Sequence, residues 1–375
     1  MFSTPKRIGR LSIKNRFVRS ATYEGMATEK GEVTNKHITL YKKLAEGGVG
    51  LIITGYAYVQ QSGMAFDTQL GAYNDELIHG LSKIADTIHT YGDDCKIALQ
   101  LVHCGRQSRH LKNRLAPSAI MEKLTKNLPK EMSKTEISET VEAFAQAVRR
   151  AKEAGFDAVQ LHGAHGYLIS EFFSPYTNER TDEYGGTIDN RTRFVEEIYK
   201  RSIELVGEDF PILIKMNGAD FLEGGLTIED SSKIAKKLAI MGFKAIEVSS
   251  GMWEVVLRKK KDLGWKPTFI PESRILIGSV NDPAYNVPFA KEIKNVIDIP
   301  VIVVGGINSL DLVELILEEK SADFIAFSRP LIREPDLPKR WLEGIGDRNV
   351  ECEFCNSCLS SLVSTGLRCV KKDRK

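Results

Sequence analysis

Hydrophobic residues along this chain fall into two alternating patterns. Eight short runs are nearly continuous in apolar residues: RFVRSAT from Arg16, VGLIITGYAYV from Val49, CKIALQLVH from Cys95, DAVQLHG from Asp157, PILIKMNG from Pro211, AIEVSSG from Ala245, PVIVVGG from Pro300 and DFIAFSR from Asp323. Runs without strict alternation predict strands buried on both faces, as in a parallel sheet. Amphipathic stretches separate them. Val141, Phe144, Ala145, Val148 and Ala151 recur at helical spacing and predict a helix stopped at Gly155. Another predicted helix begins at Thr227, an N-cap with Asp230 three residues on, and closes at Gly242. Eight such units predict an α/β fold, a (β/α)8 TIM barrel. A doubly wound sheet is the rival, but it rarely needs eight evenly spaced units without a second domain.

Two segments break the rhythm. Gly251 to Asn286 is a long excursion rich in Lys, Trp and Pro, the length of a functional lid or binding loop. Past Trp341 the chain enters a short Cys-rich C-terminal tail. The expected organisation is a barrel over residues 1–345 and a possible cluster-binding extension over 346–375.

A net charge of +2 over 375 residues argues against a nucleic-acid surface. The start, MFSTPKRIGRLSIKNRF, is basic but lacks the apolar core of a secretory signal. The longest apolar run, VGLIITGYAYV, is too short to span a bilayer. The expectation is a cytoplasmic protein with a small-molecule substrate and neither nucleic acid nor membrane as partner.

In a barrel of this kind the active site lies at the C-terminal ends of the strands. Those ends carry Ser20, Ala21, Thr22 and Tyr23; Thr54 and Gly55; Gln100 and His103; His162, His165 and Tyr167; Lys215 and Asn217; Gly305 and Gly306; Ser328 and Arg329. Gly305 and Gly306 permit close backbone approach, and Asn308 or Ser309 caps the next helix. With Arg329 nearby, this corner suits a phosphate, against the plainer reading of a tight turn beside a surface Arg. Gln100, His162 and Lys215 suit a planar heteroaromatic ligand such as a flavin, whose reduced ring is anionic where a Lys stabilises it. A metal on His162 and His165 is a rival, but no carboxylate stands beside them at motif spacing.

The tail reads Cys352-x2-Cys355-x2-Cys358-x10-Cys369. In a reducing compartment such crowding points to a metal site more than to disulfides. Three close thiolates and a remote one suit an iron–sulfur cluster; zinc, which usually takes two separated pairs, ranks second, and the plainer reading is a vestigial tail of free cysteines.

The block LHGAHGYLISEFFSPYTNERTDEYGGTIDNRTRF, together with SIKNRFVRSAT, ALQLVHCGR, VVGGI and AFSRPLIREP, resembles the Old Yellow Enzyme family of FMN-dependent NAD(P)H oxidoreductases along nearly the whole chain. The resemblance implies FMN held non-covalently at the barrel mouth and NAD(P)H as electron donor. It places Gln100 and Lys215 on the flavin pyrimidine and Gly305, Gly306 and Arg329 on its phosphate. His162 and His165 match the pair that bonds the oxygen of an α,β-unsaturated carbonyl substrate, and Tyr167 the residue that protonates its α-carbon. The segment Ser20-Ala21-Thr22-Tyr23 replaces a flavin-tuning stretch that often has Pro or Gly and Thr or Cys, leaving open whether Thr22 or Tyr23 meets the ring. Ser328 stands where relatives often have Gly or Ala.

The tail resembles the edge of the barrel domain in 2,4-dienoyl-CoA reductase and bile-acid-type enoate reductases, which implies a [4Fe–4S] cluster. Its second and third Cys gaps are each one residue shorter than theirs. Alternatives are an electron-transfer subunit working with a reductase partner, and an aldolase-type barrel using Lys215 as Schiff-base nucleophile. A homo-oligomer is a further expectation.

Overall fold

The computed structural model describes residues 1–108, 111–268, 283–362 and 365–372. Each of the eight apolar runs contains a strand: β1 (Phe17–Arg19), β2 (Leu51–Ile53), β3 (Lys96–Val102), β4 (Ala158–Gly163), β5 (Ile212–Asn217), β6 (Ile246–Ser249), β7 (Val301–Val304) and β8 (Phe324–Phe327). All pair in parallel with their sequence neighbours, and β8 returns to β1 through Ile325 opposite Phe17, so the sheet closes. The predicted (β/α)8 barrel is the architecture observed.

Closure explains the unbroken hydrophobicity of the strands. Side chains alternate across a strand. Phe17, Ile52, Leu99, Val159, Ile214 and Val303 face outward into the helix layer. Val18, Leu51, Ala98, Leu213, Ile302 and Phe324 form a separate apolar cluster inside the barrel. Both faces of each strand are therefore buried against apolar side chains over most of their length.

The outer layer is α1 (Asn35–Glu46), α2 (Ile78–Tyr91), α3 (Lys134–Glu153), α4 (Ile188–Val206), α5 (Ile228–Met241), α6 (Val287–Lys294), α7 (Leu310–Glu318) and α8 (Leu337–Leu342). The predicted apolar face of α3 is buried through Val141, Phe144, Ala145, Val148 and Ala151. Full burial of a side chain as large as Phe144 contributes about 1.5–3 kcal/mol. Gly155 follows with φ +85°, the left-handed turn that ends the helix. The α3 start is set by a capping box of Ser133 and Glu136. Thr227 Oγ1 accepts from the Asp230 amide at 3.4 Å, and Gly242 is left-handed at φ +113°, as expected for α5.

Two features lay outside the sequence reading. An antiparallel hairpin, Lys6–Ile8 with Leu11–Ile13, joins the interior apolar cluster through Ile8, Leu11 and Ile13 and plugs the end of the barrel away from the strand C-termini. The tail, in turn, is stitched to the loops after β7 and β1. The Leu310 amide bonds Arg348 O at 2.7 Å, the Val350 amide bonds Asn308 O at 2.9 Å, and the Leu367 amide bonds Glu24 O at 2.8 Å. Of the Gly251–Asn286 excursion, residues 269–282 lie outside the described residues. Among the described residues no helix is long and apolar enough to cross a membrane.

Candidate active site at the barrel mouth

A cavity of about 630 Å³ opens at the C-terminal ends of the strands, within the size range of small-molecule and cofactor sites. Its lining includes Ser20, Ala21, Thr22, Gln100, His162, His165, Tyr167, Lys215, Gly305, Gly306, Ser328 and Arg329. Gly55 and His103 are not part of that lining. The Gly55 amide donates to Glu24 Oε1 at 2.8 Å, and a Cβ there would meet Glu24 Oε2 at 1.9 Å. Gly55 is therefore glycine to let that carboxylate pack.

The floor is polar. Gln100 Nε2 donates to Gln160 Oε1 at 2.7 Å, while Gln100 Oε1 is buried without a hydrogen-bond partner. Lys215 Nζ donates to Ser20 Oγ at 3.0 Å and pairs with Glu247 Oε1 at 3.1 Å. A buried acceptor without a partner costs about 1–3 kcal/mol, so Gln100 Oε1 is poised for a donor on a ligand. Gln160 and Glu247 were not anticipated from sequence.

His162 and His165 stand edge to face, ring centroids 5.1 Å apart. His165 adopts φ +62°, a strained value for a side-chain-bearing residue. Three hydrogen bonds hold it: its amide donates to Asn217 Oδ1 at 3.2 Å, its carbonyl accepts from Gln107 Nε2 at 2.8 Å, and Nε2 pairs with Ser249 Oγ at 2.7 Å. Burial, with the nearby Lys215 charge, pushes both imidazoles well below the usual histidine range. Both rings are thus neutral near pH 7, and each retains one N–H.

Tyr167 packs 4.7 Å from the His162 ring, and its hydroxyl donates to Tyr56 Oη at 3.4 Å. Burial first, then the Tyr167 hydroxyl, raises the Tyr56 phenol well above its ordinary value. Tyr56 stacks on Tyr23 at 5.4 Å, Tyr23 on Phe66 at 5.0 Å, and Trp253 meets Tyr167 edge-on at 6.3 Å. Thr22 lies on the other side, its hydroxyl 2.8 Å from Ser328 Oγ. Thr22 thus contacts Ser328, whereas Tyr23 belongs to an aromatic stack with Tyr56 and Phe66.

At the corner formed by the loops after β7 and β8, Gly305 and Gly306 have φ +121° and +73°. A Cβ on either would lie within 2.8 Å of the Tyr285 ring. Ser309 is the α7 cap, accepting from the Leu312 amide at 3.3 Å. Arg329 sits over the Phe354 ring at 4.8 Å and donates to Asn356 Oδ1 at 2.7 Å. The tail thus braces the arginine of this corner.

Cys352, Cys355, Cys358 and Cys369 line one small pocket of about 20 Å³ beside Arg329, Arg333 and Lys371. Cys358 also lines the main cavity. All four thiols are unpaired with other cysteines. Among the described residues, no three Cys, His, Asp or Glu side chains are gathered tightly enough to hold a single metal ion.

Known proteins share this design. Residues 1–348 match the model of the NADH:flavin oxidoreductase / NADH oxidase family. An NADH oxidase of Thermoanaerobacter brockii is 38% identical over 96% of this chain and 54% of its own length. An NADPH dehydrogenase of a Geobacillus species is 38% identical over 90% of this chain and 92% of its own. Among solved structures, a 2-naphthoyl-CoA reductase in complex with 2-naphthoyl-CoA superposes with a TM-score of 0.88 at 27% identity, covering 98% of this chain and 56% of that one. The chain spans about half the length of the first two curated relatives it matches. Match length and identity together place it: the chain belongs to the NADH:flavin oxidoreductase / NADH oxidase family.

Proposed function

We propose that this barrel is an FMN-dependent NAD(P)H oxidoreductase that reduces the activated C=C bond of an α,β-unsaturated carbonyl compound. The observation that carries the reading is the trio His162, His165 and Tyr167, two neutral imidazoles and a phenol on one side of a cavity with a polar floor. FMN fits the remaining residues. Gln100 Oε1 offers an unused buried acceptor, Lys215 a cation, and Gly305, Gly306 and Arg329 a phosphate cradle. Bound there, FMN supplies hydride transfer from the nicotinamide to the substrate β-carbon.

The protein's own part is positioning, polarisation and proton delivery. His162 and His165 donate N–H bonds to the substrate carbonyl oxygen and stabilise the negative charge that gathers on it, as an oxyanion hole does. Their neutrality matters, because a neutral donor stabilises that charge without surrendering its own proton. Tyr167 gives its hydroxyl proton to the α-carbon as general acid. Tyr23, Tyr56, Phe66 and Trp253 exclude water and favour a flat substrate. Lys215, ion-paired and hydrogen-bonded, suits charge stabilisation better than nucleophilic attack, which counts against an aldolase.

A [4Fe–4S] cluster on Cys352, Cys355, Cys358 and Cys369 is supported by their spacing and by their lining one pocket with Arg329, Arg333 and Lys371, although among the described residues the thiols are not drawn together around a metal position. A cluster there would supply one-electron transfer to the neighbouring cavity. The reading predicts a flavin spectrum in purified protein and rapid reoxidation of the reduced protein by an enone. A protein without flavin, or one that an enone cannot reoxidise, would overturn it.

A further inference from the structure

Beneath the cavity floor lies a chain of buried polar side chains with a fixed direction. Glu247 on β6 is fully buried and faces three partners. Its Oε1 accepts from Ser20 Oγ at 2.5 Å and pairs with Lys215 Nζ at 3.1 Å; its Oε2 accepts from Gln160 Nε2 at 2.8 Å. Gln160 Oε1 in turn accepts from Gln100 Nε2 at 2.7 Å. Strand register builds the chain, since Lys215 lies opposite Glu247 and Gln100 opposite Gln160 in the ladders.

An ionised carboxylate only accepts hydrogen bonds. Facing Glu247, Gln160 must present its NH2 group, so its carbonyl turns toward Gln100. Gln100 must then spend its NH2 group on Gln160, and its carbonyl is left at the cavity. The carboxylate therefore dictates the orientation of an amide two residues away. It also sets how much of the Lys215 charge is balanced. The cavity receives an acceptor from Gln100 and a tempered donor from Lys215, a pair complementary to the N–H and carbonyl groups of a flavin pyrimidine.

We propose that Glu247 is a positioning residue for the flavin. It orients the Gln100 acceptor through Gln160 and holds down the reduction potential by partly neutralising Lys215. This rests on the cofactor reading above, that FMN occupies the cavity. Neither Glu247 nor Gln160 lines the cavity, so both act only through their neighbours.

Two near-isosteric variants separate the two roles. Glu247→Gln removes the charge that opposes Lys215. Reduced FMN, which is anionic, should then be favoured over oxidised FMN by about tenfold, a rise of ~30 mV in the two-electron potential. Gln160→Met keeps both charges and cuts the relay, so FMN should dissociate about tenfold more readily while the potential stays near that of the parent protein. The measurements are dye-coupled reductive titration and fluorescence titration of apoprotein with FMN. A flavin-bound Glu247→Gln protein with the parent potential, or a Gln160→Met protein with the parent FMN affinity, overturns the assignment. Should Glu247→Gln fail to fold, the Gln160→Met titration decides the relay by itself. Parent protein that takes up no FMN would instead overturn the cofactor reading.

Discussion

The residue scale is where the chemistry is decided, and Tyr167 is its sharpest test. Tyr167→Phe keeps the ring that packs against His162 and removes only the hydroxyl. Flavin binding and reduction by the nicotinamide should stay within a factor of about two. Reoxidation by an enone should slow by a factor on the order of 100 or more, the usual worth of a positioned acid. Stopped-flow measurement of the two half-reactions separates these outcomes, and equal slowing of both would remove Tyr167 from the role. Replacing His162 and His165 together by Asn should weaken phenol binding by about tenfold or more, since the two hydrogen bonds we propose to the bound oxygen would be altered. Titration of the long-wavelength flavin band by a phenol reads this directly, and unchanged affinity would assign the pair elsewhere. The trio was legible in the sequence because three polar residues crowd the end of one apolar run. Glu247 and Gln160 were not, because a lone acid in AIEVSSG or a lone Gln in DAVQLHG reads as an ordinary strand residue. Only closure of the barrel turns those two side chains inward toward one another.

At the scale of elements, the eight strands were legible because parallel strands buried on both faces leave unbroken apolar runs. The N-terminal hairpin was not, since three-residue strands in KRIGRLSI carry too little pattern to separate them from a basic leader. The tail lies between these cases. Its cysteine spacing signals a metal site, but nothing local signals that Phe354 and Asn356 brace Arg329. That contact joins the tail to the corner where we propose the FMN phosphate binds. Asn356→Ala should loosen FMN about tenfold by altering the hold on Arg329, measured by fluorescence titration; unchanged affinity would make the brace incidental. Anaerobically purified protein should contain about four irons per chain. Cys355→Ser should lose the iron and keep FMN, because Cys355 lines the small pocket and not the main cavity. Zinc, or no metal, in elemental analysis of the anaerobic protein would exclude the cluster.

Across the whole molecule, histidine burial couples folding to pH. His37, His103, His162 and His165 are all buried, and burial lowers the pKa of each. His103 is the cleanest case, because it lies off the cavity lining and desolvation is the sole cause of its fall to about 3. Its Nδ1 accepts the Gly105 amide at 3.1 Å, a bond only the neutral ring can make. An unfolded histidine titrates near 6.5. Between about pH 3 and 6.5 the unfolded chain therefore binds a proton at His103 that the folded chain refuses. Stability from this group is full above pH 6.5 and is lost as pH falls below it, by about 1.4 kcal/mol at pH 5.5 relative to pH 7.5. Glu171 works in the opposite direction: burial raises it to about 8, so its contribution is full below its unfolded pKa and is lost as pH rises through 8. The overall profile mixes both signs, and only a difference isolates one residue. His103→Gln removes the titrating group. Between pH 7.5 and 5.5 the parent protein should lose about 1.4 kcal/mol more stability than this variant in urea unfolding. Equal losses would mean that the folded protein accommodates a charged imidazole at His103, and that burial does not hold it neutral.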